Sequence, residues 1–175
     1  MTLPFSTRWP SKMPKGLSNQ PNQFVEKIWR SLPEDIVDQE FDKYLPKLEE
    51  LGYPMANDMI NITPKIHTIR KDYRFKKGDW IHPVIYNRTK RRCQFTPTFV
   101  CNSTQSIKIS YDEALCDWYC IEPIIFIDGK PVLDYDTIEL LAFGDGFPNV
   151  KSFLSWFDGD MEGQIIHWTN LKLAL

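Results

Sequence analysis

Near Asn57 the hydrophobic pattern changes its period from helix to strand, and that change limits the chain to a mixed fold. Ahead of it, Phe24, Ile28 and Leu32 recur at helical spacing with Val25 and Trp29 beside them. Ile36, Val37, Phe41, Tyr44, Leu45, Leu48 and Leu51 then form the apolar face of a second helix. Ser31 is placed to cap it, with Glu34 as its capping-box partner and Pro33 in the first turn. Pro46 is expected to kink or divide this helix, and Gly52 to stop it. Its outer face carries Asp35, Asp38, Glu40, Asp42, Glu49 and Glu50, as a solvated face does. Residues 1–23, rich in Pro, Ser and Asn, read as an extended surface segment, with Leu3 to Phe5 pairing as a short strand.

Beyond Asn57 the runs have strand length. Ile66–Arg70, Trp80–Tyr86, Phe95–Cys101, Ser106–Tyr111 and Ile124–Ile127 are predicted strands. Asp128-Gly129 is a hairpin turn with Lys130–Leu133 returning. Asp136–Ala142, capped by Asp136, and Val150–Phe157 read as helices, and Gln164–Trp168 as a closing strand that can run on to Leu173. Five or more short strands with a few helices predict a single α+β domain over residues 1–175, a small barrel with helical decoration.

With 175 residues, 42% of them hydrophobic and 25% charged, the chain is long and apolar enough for a real core. No apolar run approaches the roughly 20 residues that cross a bilayer. Met1–Leu17 lacks the apolar core of a signal peptide, so the expected compartment is the cytoplasm, with no membrane partner. Cys93, Cys101, Cys116 and Cys120 fit no zinc signature. They read as reduced thiols, with Cys116 and Cys120 plus one of His67, His82 or His167 as the alternative metal set. No metal and no cofactor is expected.

The net charge of −2 hides an uneven distribution. Lys65, Arg70, Lys71, Arg74, Lys76, Lys77, Arg88, Lys90, Arg91 and Arg92 fall in one stretch against Asp72 and Asp79. Tyr73, Phe75, Trp80 and Tyr86 are interleaved with them. Cations neutralise phosphates and aromatic faces stack unpaired bases, so this stretch reads either as a nucleic-acid or nucleotide contact or as a soluble surface loop.

Thr68 and Arg70 share one face of a strand. A threonine hydroxyl becomes a nucleophile only when a base takes its proton, and Lys65 stands at the strand entrance where a bend after Pro64 can turn it to that face. The same pattern also fits a solvent-facing strand. Asp145, between Gly144 and Gly146, is either an acid or base partner for Lys65 or a turn residue.

Lys65-x-x-Thr68-Ile69-Arg70 and the following Lys77-Gly78-Asp79 resemble the ASCH family of the PUA-like superfamily. The turn Ala142–Phe147, the helix after it and the strand Ile165–Thr169 are also similar, especially to a subgroup found in bacterial and tailed-phage genomes. Phe24–Ile28 resembles the short helix before the family's lysine. The resemblance covers about residues 1–32 and 60–175, so that residues 33–57 look like a helical insertion. It implies a small PUA-like β-barrel with a cleft for RNA, a nucleotide or a modified nucleoside, working in the cytoplasm, or in the host cytoplasm if phage-encoded. Some family members hydrolyse the amide of N4-acetylcytidine with a Lys, a Thr and a Glu. Lys65 and Thr68 match the first two, and the Glu position falls on the shorter Asp145. Ribonuclease activity is also associated with the family.

Three readings follow. A binding module would hold RNA with Arg70, Lys71, Arg74 and Lys76, and with Arg88, Lys90, Arg91 and Arg92. An amidohydrolase would use Lys65 as base, Thr68 as nucleophile and Asp145 as acid or orienting group. A phage factor would capture a protein partner through the acidic segment 33–57.

Overall fold

In the computed structural model, which describes residues 1–56, 58–115 and 123–170, the chain is a mixed α+β protein. It divides into two compact units, Met1–Lys65 with Asp79–Val100, and Ile66–Gly78 with Cys101–Leu175. No helix among the described residues is long and apolar enough to cross a membrane.

The first unit holds a four-stranded sheet. Its strands are β1 (Thr2–Pro4), β3 (Trp80–Ile85), β4 (Cys93–Gln94) and β5 (Phe99–Val100), with β3 paired to each of the others. Of the predicted strand Phe95–Cys101 only Phe99–Val100 forms, and the separate pair Cys93–Gln94 precedes it. The chain bends at Thr96 before Pro97, which has no N–H to give to a ladder. The N-terminal segment is more than a surface wrap, because Leu3, Phe5, Trp9 and Met13 are all buried. Its Ser6 accepts from Nδ2 of Asn22, whose Oδ1 in turn takes the Phe24 amide at 3.1 Å, at the start of helix α1 (Phe24–Trp29).

Helix α2 (Glu34–Glu50) runs unbroken through Pro46. Ser31 does not cap it: the N-cap position is Pro33, and the Ser31 hydroxyl donates instead to the Ile28 carbonyl at 2.6 Å. Gly52 ends the helix as expected. Its φ of 64°, with Gly52 N–H to the Glu49 carbonyl and Tyr53 N–H to that of Leu48, makes a Schellman motif. Phe41 and Tyr44 pack edge-on against Trp29 with ring centroids 5.1 and 5.8 Å away. The described part of the 33–57 segment, residues 33–56, thus packs within its unit, with its acidic side chains mostly exposed.

The second unit holds a five-stranded sheet, β2-β9-β6-β7-β8, with all neighbours antiparallel. Its strands are β2 (His67–Arg70), β6 (Ser103–Ser110), β7 (Ile124–Ile127), β8 (Lys130–Val132) and β9 (Met161–His167). Asp128 and Gly129, at φ 50° and 78°, form the predicted hairpin. The described strands close no barrel. Helix α3 (Tyr135–Gly144) is capped by Asp134, whose carboxylate accepts from the amides of Asp136 and Thr137, so the cap lies two residues before the expected Asp136. Asn149 caps α4 (Val150–Trp156). The Cys116 and Cys120 alternative and a closing strand beyond 170 fall outside the described residues; Cys93 and Cys101 are buried. Groups of three or more metal-ligating side chains do not occur among the described residues.

Candidate functional site

The pattern Gly144-Asp145-Gly146 is explained by three separate constraints. A Cβ at Gly144 would lie 2.4 Å from the His67 ring. Gly146 has a φ of 87°, and the amides of Gly146 and Phe147 return to the carbonyls of Phe143 and Ala142, closing α3 with a second Schellman motif. Between them Asp145 is held at the edge of β2. The Ile66 amide donates to the Gly144 carbonyl at 2.9 Å, and the Ile69 amide to Asp145 Oδ1 at 3.3 Å. The end of α3 thereby covers a strand edge whose N–H groups would otherwise lie open.

Asp145 is buried, 4% exposed, and acts electrostatically on Arg70. Burial lowers the Arg70 pKa, Asp145 and Asp72 oppose that effect, and Arg74 adds to it. A guanidinium keeps its charge under such pressure, so Arg70 is a fixed cation.

Register shows what shares the Arg70 face. Arg70 pairs with Gln164 and Gln164 with Ser106; Thr68 pairs with Ile166 and Ile166 with Thr104. Directly opposed residues point to the same side of a sheet. Thr68 and Arg70 therefore share a face, as their spacing predicts, and Gln164 lies beside Arg70 in the next strand. Gln164 is 3% exposed, and its Nε2 has no hydrogen-bond partner among the described residues. Sequence reasoning missed it, although a lone amide inside Gly-Gln-Ile-Ile-His was a visible signal. Thr68 itself is buried.

On the opposite face His67 and His167 stand directly across from each other, both fully buried, with ring centroids 5.3 Å apart. His67 Nε2 lies 3.2 Å from the Leu141 carbonyl, which can only accept, so this nitrogen carries the hydrogen.

Lys65 is the last residue of the first unit and precedes β2. It is 1% exposed, with Nζ 4.7 Å from the centroid of Phe24 and its amide donating to the Lys27 carbonyl at 2.9 Å. Lys27, a second lysine missed at the sequence level, lies with Nζ 5.9 Å from the rings of both Trp9 and Phe24. Burial lowers its pKa to about 8, against the neighbouring Glu26 charge. Its signal was its place three residues after Phe24, on one face of a short helix.

The basic residues are distributed over both units. Lys71, Arg74 and Lys76 are exposed in the loop after β2, where Arg74 pairs with Asp72 at 2.7 Å. Arg88, Lys90, Arg91 and Arg92 are exposed in the first unit. Arg91 donates to the Leu51 carbonyl and lies 4.5 Å from the Tyr86 ring, and Arg92 reaches Thr2 Oγ1 at 3.3 Å. Those two serve partly to anchor their own turn, while Arg88 and Lys90 extend from it. Compared with known protein families, curated proteins and solved structures, the chain matches none.

Proposed function

We propose that the chain is a PUA-like module of the ASCH type that binds RNA, a nucleotide or a modified nucleoside on the β2 side of its second unit. The observation that carries this reading is the row formed by Arg70 and Gln164: a fixed cation beside a buried amide with an unused donor. A buried donor without an acceptor costs about 1–3 kcal/mol, and a ligand oxygen accepting from it would recover that cost. Lys71, Arg74 and Lys76 supply exposed charge for phosphates. Filter binding of short single-stranded and duplex RNA at low and moderate salt tests the reading. Binding that weakens with salt, and weakens further in Arg74→Glu and Gln164→Leu, is expected; absence of binding at low salt would overturn it.

The second reading is an amidohydrolase acting on N4-acetylcytidine-type substrates, favoured by the burial of each of Lys65, Thr68 and Asp145. Thr68 would attack the amide carbonyl, Lys65 would accept the hydroxyl proton, Asp145 would protonate the leaving amine, and water would then hydrolyse the acetyl-Thr68 ester to release acetate. Asp145 also holds the Ile69 amide, so it has a structural duty that a free general acid lacks. Release of acetate from N4-acetylcytidine, lost in Lys65→Ala and Thr68→Ala, is the assay. Turnover that survives both substitutions sinks this assignment.

A further inference from the structure

We propose that an open groove on the five-stranded sheet is a stacking site for one unpaired base of single-stranded RNA, with Tyr73 as its platform. The inference rests on the nucleic-acid reading above and deepens it by giving the base, as distinct from the phosphates, a place. The groove has a volume of about 320 Å³ and is lined by Tyr73, Ser106, Lys108, Phe126 and Glu162, all within the second unit. That volume is near the lower end of small-molecule sites, suited to one base rather than a larger ligand.

Two aromatic side chains stand in the lining. In β7, Phe126 is the half-buried residue, on the side opposite Ile125 and Ile127. In β6 the same side carries Ser106 and Lys108, as alternation predicts. Tyr73 is 59% exposed and sits in a basic segment, with Arg70, Lys71, Arg74, Lys76 and Lys77 around it against Asp72 alone.

A ring face for a base and flanking cations for its phosphates are what a single strand requires, and a duplex keeps its bases covered. The lining also offers edges to read. Lys108 and Glu162 pair at 3.5 Å, so a donor and an acceptor stand together, and Ser106 leads across the sheet to Gln164 and Arg70. Gly163 contributes to the placement of the loop. A Cβ there would lie 2.0 Å from the Arg70 carbonyl oxygen and 2.9 Å from Lys71 Cα, so its absence lets the chain cross close to β9 as it enters the Tyr73 loop.

The test uses the full chain and a single-stranded RNA of about 12 nucleotides carrying one 2-aminopurine, at about 50 and 200 mM salt. Stacking on an aromatic ring changes 2-aminopurine emission. The wild type should bind and shift the emission. Tyr73→Ala should weaken binding roughly tenfold and remove the shift with the salt dependence unchanged, while Tyr73→Phe keeps both. The pair Lys71→Glu and Arg74→Glu should flatten the salt dependence yet keep the shift at saturation. If Tyr73→Ala and Phe126→Leu bind like wild type while the charge reversals bind poorly, the groove assignment is wrong and the RNA-binding reading stands. If the wild type binds no RNA, both fall together. A dimer in sedimentation that Tyr73→Ala disperses, with RNA binding untouched, would assign the groove to a second copy of the chain and overturn the proposal.

Discussion

The first unit encloses a carboxylate and gives each of its oxygens a donor; the second encloses charge and leaves donor capacity beside it. Glu26 on α1 is fully buried, with Tyr53 Oη donating to one oxygen at 2.8 Å and the Ala56 amide to the other at 3.0 Å. Those partners come from the segment after α2, so this bond pair fastens that segment to α1. Burial, then Glu26, raises the Tyr53 hydroxyl pKa far above its ordinary range, so it remains a donor at any working pH. In the second unit Asp145 grips the edge of β2 and acts on Arg70, and in the adjacent strand Gln164 has a buried Nε2 with no acceptor. Satisfied buried polarity locks a packing arrangement, whereas unused donor capacity near exposed charge is where a ligand gains most.

The comparison breaks most severely at Gly163. Gly163→Ala forces a Cβ onto backbone of the β2 end and should cost about 3 kcal/mol or more in urea unfolding, because a backbone clash cannot be relieved by a rotamer change. Gly159→Ala, which meets nothing within 4 Å, is the matched control and should be nearly silent. Next in size is the carboxylate clamp. Tyr53→Phe removes one donor from buried Glu26 and should lower stability by about 2 kcal/mol, with the deficit reduced in a Tyr53→Phe, Glu26→Gln double variant. An equal loss in both would show that the hydroxyl–carboxylate bond is not the cause.

A pH-gated effect comes from Lys27. Its folded pKa of about 8 lies below the ordinary 10.5, so between those values the unfolded chain holds a proton that the folded chain has released. Stability should therefore rise with pH across that window, and the penalty is fully present below about 8. Lys27→Met should flatten the rise and raise the melting temperature at neutral pH. Asp145→Asn, which keeps an acceptor for the Ile69 amide but removes the charge acting on Arg70, should cost about 1 kcal/mol. The smallest effect is expected at the open surface, where Lys108→Ala breaks an exposed pair and should change stability by no more than about 0.5 kcal/mol.

Local pattern made much of the fold legible. Alternation located β2 and β3, Asp128-Gly129 located the hairpin, and Gly52 ended α2 where a left-handed residue was needed. Reading failed mainly at element ends, where several nearby polar groups compete for one backbone partner. Ser31 bonds back to Ile28 instead of capping α2, and Asp134 takes the capping place read for Asp136. The predicted strand Phe95–Cys101 shortens to Phe99–Val100, which begins only after Pro97. For the candidate site, the shared face of Thr68 and Arg70 followed from period two. Gln164, Lys27 and the Tyr73 groove did not, since each depends on which strand or ring lies alongside.

By itself the sequence determined that helical spacing gives way to short strands near Asn57, that Asp128-Gly129 turns a hairpin, and that basic charge gathers from Lys65 to Arg92. Those are properties of spacing and composition, which act over a few residues. Only the tertiary structure decided that those basic residues belong to two units, that Asp145 closes the edge of β2, and that Gln164 stands in register with Arg70. These depend on which strand edges pair over long separations, where small sets of contacts such as Gly144 against His67 and Gly163 against Arg70 exclude the alternatives.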